Sequence, residues 1–121
     1  MQGKSEANET TLNKLQLDGL LTGNTVFIDL PAGGPGGPTG GVAICYFGKG
    51  GRAHFKLPTG TTLVGPWFLE VDHYRADWDN GPKNSCTRLV KSDGKINVID
   101  ATSGNLRGHI TRIVPGNSEQ V

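Results

Sequence analysis

From Asn24 to the last turn the chain repeats one pattern: a short run of alternating apolar and polar positions, closed by glycine, proline or asparagine. In Asn24–Leu30, Val26, Ile28 and Leu30 share one phase; Thr25, Phe27 and Asp29 share the other. Gly41–Phe47 is the second run. Residues 52–57 alternate most sharply, with Ala53, Phe55 and Leu57 against Arg52, His54 and Lys56. Residues 62–64 begin a strand that Gly65 and Pro66 bend or end. The stretch 66–78, PWFLEVDHYRADW, reads as the central hairpin. Its inner phase is Trp67, Leu69, Val71 and His73, and its outer phase is Phe68, Glu70, Asp72 and Tyr74. A break near Tyr74 is expected, because the stretch is long for one strand. Runs at 85–91, 95–101 and 106–114 complete the series.

Short strands at spacings of about ten residues, joined mostly by hairpin turns, predict an all-β fold: an antiparallel meander of seven or eight strands. Closure into a small barrel removes exposed strand edges and is the preferred architecture; a two-sheet sandwich is the alternative. Ahead of the strands, Thr10 or Thr11 can cap one short N-terminal helix, on which Leu12, Leu15 and Leu20 fall near helical spacing. Two or three turns are marginal alone, so this helix is expected to lay its leucines on the sheet and plug one barrel end. The organisation is then a disordered leader at 1–9, a single domain at 10–117 and a frayed tail at 118–121.

Between the first two strands lies the glycine-rich segment 31–41, PAGGPGGPTGG. It runs into a strand and has no Lys-Ser/Thr pair entering a helix, so it reads as a connector rather than a phosphate cradle. A lid beside a barrel mouth is the functional alternative. Glycine (19) and proline (7) make up about a fifth of the 121 residues, which suits turn punctuation in one β domain. Charge is nearly balanced, with 12 basic against 11 acidic residues and no basic stripe, so no nucleic-acid partner is expected. No apolar run is long enough for a helical membrane span. Cys45 and Cys86 fit either buried thiols in a cytosolic protein or one disulfide in an exported one. The bridge is the expectation carried forward, and it would stabilise a small domain by about 4 kcal/mol on the chain-entropy model. No export signal is visible in the polar opening MQGKSEANET, so a periplasmic or secreted home is an inference.

LDGLLTGNTV (17–26), YFGKGGRAHF (46–55), CTRLVKSDGK (86–95) and GHITRIVPGN (108–117) together resemble small exported bacterial β-barrel proteins of unknown function. Those proteins share an LTGNTV-like start, a YF-x-x-DG hairpin, a W-x-x-x-W region with a cysteine pair and a closing I-x-x-GN. The resemblance spans roughly 15–117 and implies a small barrel and export, with no known chemistry. Tyr74 stands where that pattern has a cysteine, and a Cys45–Cys86 bridge would replace the usual one.

Candidate chemistry collects in the central hairpin. His73 shares its phase with Trp67, Leu69 and Val71, which aims it at the core or a cavity; it is the candidate general acid/base. His54 and His109 fall on outer phases, so the three histidines do not converge on a metal. Asp72, His73 and Tyr74 are consecutive, and the pleat sends neighbours to opposite faces. Glu70 and Asp72 share a face and read as a solvated pair. Asp77, Asp79, Asn80 and Asn84 offer oxygen ligands in one turn without calcium-loop spacing. Neither metal nor cofactor is expected. The aromatics carry the better clue, since an eight-stranded barrel can hold one small ligand between aromatic walls. Trp67, Leu69, Val71, His73 and Trp78 are the expected ligand-binding residues. The leading expectation is an exported barrel that binds a small apolar or amphipathic ligand or a protein partner, in an oligomeric state left open. The alternatives are a small enzyme using His73 and a structural or assembly protein without a ligand site.

Overall fold

The computed structural model describes residues 9–34, 37–119 and 121. Its elements are β1 (Glu9–Thr11), α1 (Lys14–Leu21), β2 (Asn24–Leu30), β3 (Gly41–Phe47), β4 (Arg52–Lys56) and β5 (Thr62–Leu69). They continue with β6 (Tyr74–Ala76), β7 (Ser85–Ser92), β8 (Lys95–Asp100) and β9 (Leu106–Pro115). From β2 to β9 each strand pairs antiparallel with the next, and β9 pairs back onto β2. The result is a closed barrel of eight strands with β1 as one extra strand outside it. The expected leader 1–9 lies outside the described residues except for Glu9, which opens β1.

The alternation read in the sequence is the inside and outside of this wall. Val26, Ile28, Leu30, Ala43, Cys45 and Phe47 are buried on β2 and β3. Ala53, Trp67, Leu89 and Val98 continue the lining on later strands. Burying this set from water supplies the main driving force for folding. The strand β5 runs through Gly65 and Pro66 without ending there. A β-carbon on Gly65 would overlap the carbonyl oxygen of Asp77, so only glycine lets the neighbouring backbone come this close.

The helix starts later than the sequence suggests. Thr10 and Thr11 belong to β1, and Asn13 is the cap. Its side chain accepts from the Gln16 N–H at 2.9 Å, and the Gln16 side chain accepts from the Asn13 N–H at 2.9 Å. This reciprocal box fixes the first turn. The shift turns the helix: Leu17 and Leu21 are buried, while Leu15 is 80% exposed. Gly23, at φ +79°, then swings the chain into β2.

The barrel has two different ends. Turns 48–51 and 70–73, the start of β2 and the helix share one end. There the Phe47 ring meets Trp67 and Tyr74 edge-on, at centroid distances of 5.0 and 5.1 Å, and the Trp67 indole N–H donates to the Gly48 carbonyl at 3.0 Å. The described loop residues 31–34 and 37–40, with 57–61, 77–84 and 101–105, share the other end, because turns of an up-and-down barrel alternate between its two rims.

β6 is only three residues long and covers Ser85–Thr87 of β7. The remaining edge of β7, Val90–Ser92, is taken by β1. The Leu12 N–H donates to Leu89 O and the Lys14 N–H to Val71 O, each at 2.9 Å, which ties β1 and the helix into the wall. One position in the barrel wall is thus shared by two segments far apart in sequence.

Candidate functional site

The open end leads into a cavity of about 340 Å³. Its walls are apolar: Ile28 and Leu30 from β2, Phe55 from β4, Tyr74 and Ala76 from β6, and Val98 from β8. Trp78 lies just past β6 and stacks on Phe55 at 5.8 Å between centroids, with 23° between the planes. It reaches this place because residues 77–80 go on following β5 after β7 has parted from β6. The Asp77 N–H donates to Pro66 O and the Asp79 N–H to Val64 O, at 3.0 and 2.7 Å. Asn80 extends the same ladder with its side chain, accepting from the Val64 N–H and donating to Thr62 O. The last β6–β7 pair is Ala76 with Ser85, so the segment between them forms part of the rim.

Polar groups gather at that rim: Lys83 and Asn84 from the 77–84 loop, Ser85 at the start of β7, Asp100 at the end of β8, Thr102 from the β8–β9 turn and Arg107 near the start of β9. Arg107 Nη2 donates to Asp100 Oδ2 at 2.6 Å, and this hydrogen bond, with the Thr102 and Ser103 backbone amides, holds the Asp100 carboxyl below the usual aspartate range. Lys83 Nζ donates to the Trp78 carbonyl at 2.5 Å. Asp77 anchors the loop from outside: its Oδ1 accepts from the Asn84 N–H at 2.7 Å and its Oδ2 from Arg75 Nη1 at 2.5 Å. The Asn84 N–H is the main reason the Asp77 carboxyl is held below its ordinary range. Deeper in, burial pushes the Cys45 thiol and the Tyr74 phenol up, so both are neutral at physiological pH.

Of the residues expected to bind ligand, Trp78 alone among the described residues faces this cavity. Trp67 is buried at the closed end, and Leu69 is half-buried beside it, near Asp18, Thr22 and Lys49. Val71 is 80% exposed. His73 sits in the 70–73 turn, also at the closed end, with Nδ1 2.9 Å from Asp72 Oδ1. The contact with His73 lowers the pKa of the Asp72 carboxyl. The expected inner phase fails at this turn. Leu69 pairs with Tyr74, and paired residues face the same side, so a four-residue loop moves the inward set from odd to even numbers. Tyr74, Ala76 and Trp78 point in, and Val71 and His73 lie on the turn.

The expected disulfide is also overturned: Cys45 and Cys86 are free thiols. Cys45 pairs with the inward Val26 and is buried in the barrel. Cys86 pairs with Arg75, whose guanidinium covers the outward Phe68 ring at 4.3 Å. The side chains therefore leave the wall on opposite faces and cannot meet.

The turn oxygens weighed as calcium ligands have protein partners: Asp79 accepts from Arg52 at 2.5 Å, Asp77 accepts from Arg75 and from the Asn84 N–H, Asn80 accepts from the Val64 N–H, and Asn84 Oδ1 accepts from the Cys86 thiol at 3.7 Å. Among the described residues no helix is long and apolar enough to cross a membrane. Comparison with family models, curated proteins and solved structures finds no match for this chain.

Lys83 was missed from the sequence because loop residues carry no period; Asp100 and Arg107 lie in β8 and β9, and were missed because nothing in their strands' alternation marks the end that faces the cavity. Strand parity would have found them. Once the meander closes, the turns after β2, β4, β6 and β8 share one rim, and the turn holding His73 falls on the other.

Proposed function

We propose that this protein is a binding barrel for a small apolar or amphipathic ligand, taken into the cavity at its open end. The observation that supports this reading is the asymmetry of the barrel. One half is filled by Phe47, Trp67, Leu17 and Leu21, and the other keeps about 340 Å³ with apolar walls and a polar rim. That volume and that distribution of polarity suit a small-molecule site. Acid/base catalysis by His73 is not favoured, because the imidazole is at the closed end and away from the cavity. Export belongs to this reading on the motif resemblance alone.

The test uses the purified chain and the small fluorescent probe 2-naphthol, whose size suits a cavity of about 340 Å³. Saturable binding with quenching of Trp78 is expected, together with its loss in Ala76→Phe, which fills the cavity from a wall position buried on β6. A folded Ala76→Phe variant that binds the probe as the parent does would sink the proposal.

A further inference from the structure

We infer that the open cavity takes an amphipathic monoanion, with its anionic head between Lys83 and Arg107 and its apolar body along the Phe55–Trp78 wall. The inference rests on the ligand-binding reading above and narrows it to one class of ligand.

Three observations carry it. The first is the direction of the polarity gradient. Ile28, Phe55, Trp78 and Val98 form the walls, while the charged groups stand at the rim. A ligand that satisfies both has one polar end.

The second is the sign of the rim. Its ionised groups are Lys83, Arg107 and Asp100, and two cations against one carboxylate leave a charge of +1. Asp100 is taken up by Arg107 at 2.6 Å. Lys83 makes no ion pair within 4 Å among the described residues; its ammonium donates to the Trp78 carbonyl, and the Asp77 carboxylate acts on it only as the weakest of several influences on Asp77. Its other donors are free for an incoming anion, beside low-dielectric walls that strengthen the attraction. A cationic head would meet Lys83 and Arg107 unfavourably, and a neutral head could accept a hydrogen bond from the ammonium without balancing its charge.

The third is the fixed backbone of the segment that carries Lys83. Asn84 sits at φ +52°, and its N–H is held by Asp77, so the segment carrying Lys83 is set before any ligand arrives. Preorganisation of this kind lowers the ordering cost of binding.

Volume sets the length. At about 30 Å³ for each water-sized atom, the cavity accommodates roughly eleven heavy atoms. A saturated medium-chain carboxylate fits, and decanoate is the probe of choice.

The test is a titration followed by isothermal calorimetry and by Trp78 fluorescence, with decanoate, decanol and decyltrimethylammonium run in parallel. Decanoate is expected to bind about tenfold or more tighter than decanol, the equivalent of one partly screened charge contact. Decyltrimethylammonium is expected to be the weakest of the three. In Lys83→Gln the preference for decanoate over decanol should collapse, while decanol binding stays as in the parent. Lys83 is exposed, so this variant is not expected to perturb the fold. Equal binding of decanoate and decanol, tighter binding of the cation, or an unchanged preference in Lys83→Gln would each overturn the inference and leave the barrel as a binder of another class. Failure of all three probes to bind would overturn the binding reading itself.

Discussion

A β-carbon at Gly65 would overlap the Asp77 carbonyl oxygen and come within 2.8 Å of the Trp78 Cα. The missing side chain on β5 is therefore what lets residues 77–80 hug the strand and carry Trp78 into the cavity wall. Gly65→Ala is expected to destabilise the fold by about 1–3 kcal/mol, the usual range for overpacking, and urea unfolding measures it. The same variant should red-shift or broaden tryptophan emission, since Trp78, buried in the parent, must move out of the wall. The carboxyl of Asp100 gives a second residue-scale expectation. Its folded-state pKa is depressed by Arg107 and the Thr102 amide, so its contribution to stability is present above the ordinary aspartate range and is lost as pH falls through the folded value. Acid titration of thermal stability should accordingly show a shallower loss below about pH 4 in Asp100→Asn than in the parent. An identical acid limb in both would show that the pair contributes nothing to stability.

At the scale of elements, the strands were legible where polarity alternates, because a barrel wall imposes period two on every strand it contains. Asn24–Leu30 and Gly41–Phe47 fall where the alternation puts them. What period two does not carry is the parity of a turn. Four residues between Leu69 and Tyr74 were enough to turn Val71 and His73 out and Tyr74 and Trp78 in. The cysteine pair misled for the same reason: strand phase must be known on both strands before two thiols can be placed on one face. The helix was legible as a leucine cluster but not in its rotation. That rotation is set by Asn13 and Gln16, polar residues whose pairing is invisible to a count of leucines. Asn13→Ala is therefore expected to cost about 1 kcal/mol, within the range for lost caps, read as a lower thermal midpoint. Because Leu17 and Leu21 fill the closed end, the loss should register in global unfolding and not only as helix fraying.

For the whole molecule, the division of labour between the two ends is the functional statement. The closed end uses Trp67, Phe47 and the helix for stability, and the open end spends the remaining interior on a cavity. The aromatics that drew attention in the sequence divide between these tasks, Trp67 to the first and Trp78 to the second. The closure of the wall also has a consequence in time. Strand β2 has one neighbour early in the chain and the other at its end, where Asn24 faces Pro115. β1 likewise waits for Val90–Ser92. During synthesis the emerging sheet therefore carries two bare edges until β9 has emerged, and β1 has nowhere to dock until β7 has. Pairings this distant in sequence place such a chain among the slow folders, on the order of milliseconds to seconds. The nascent barrel is at its most adhesive just before β9 pairs, and early release of a chain lacking β9 would leave an open sheet able to add strands from its neighbours.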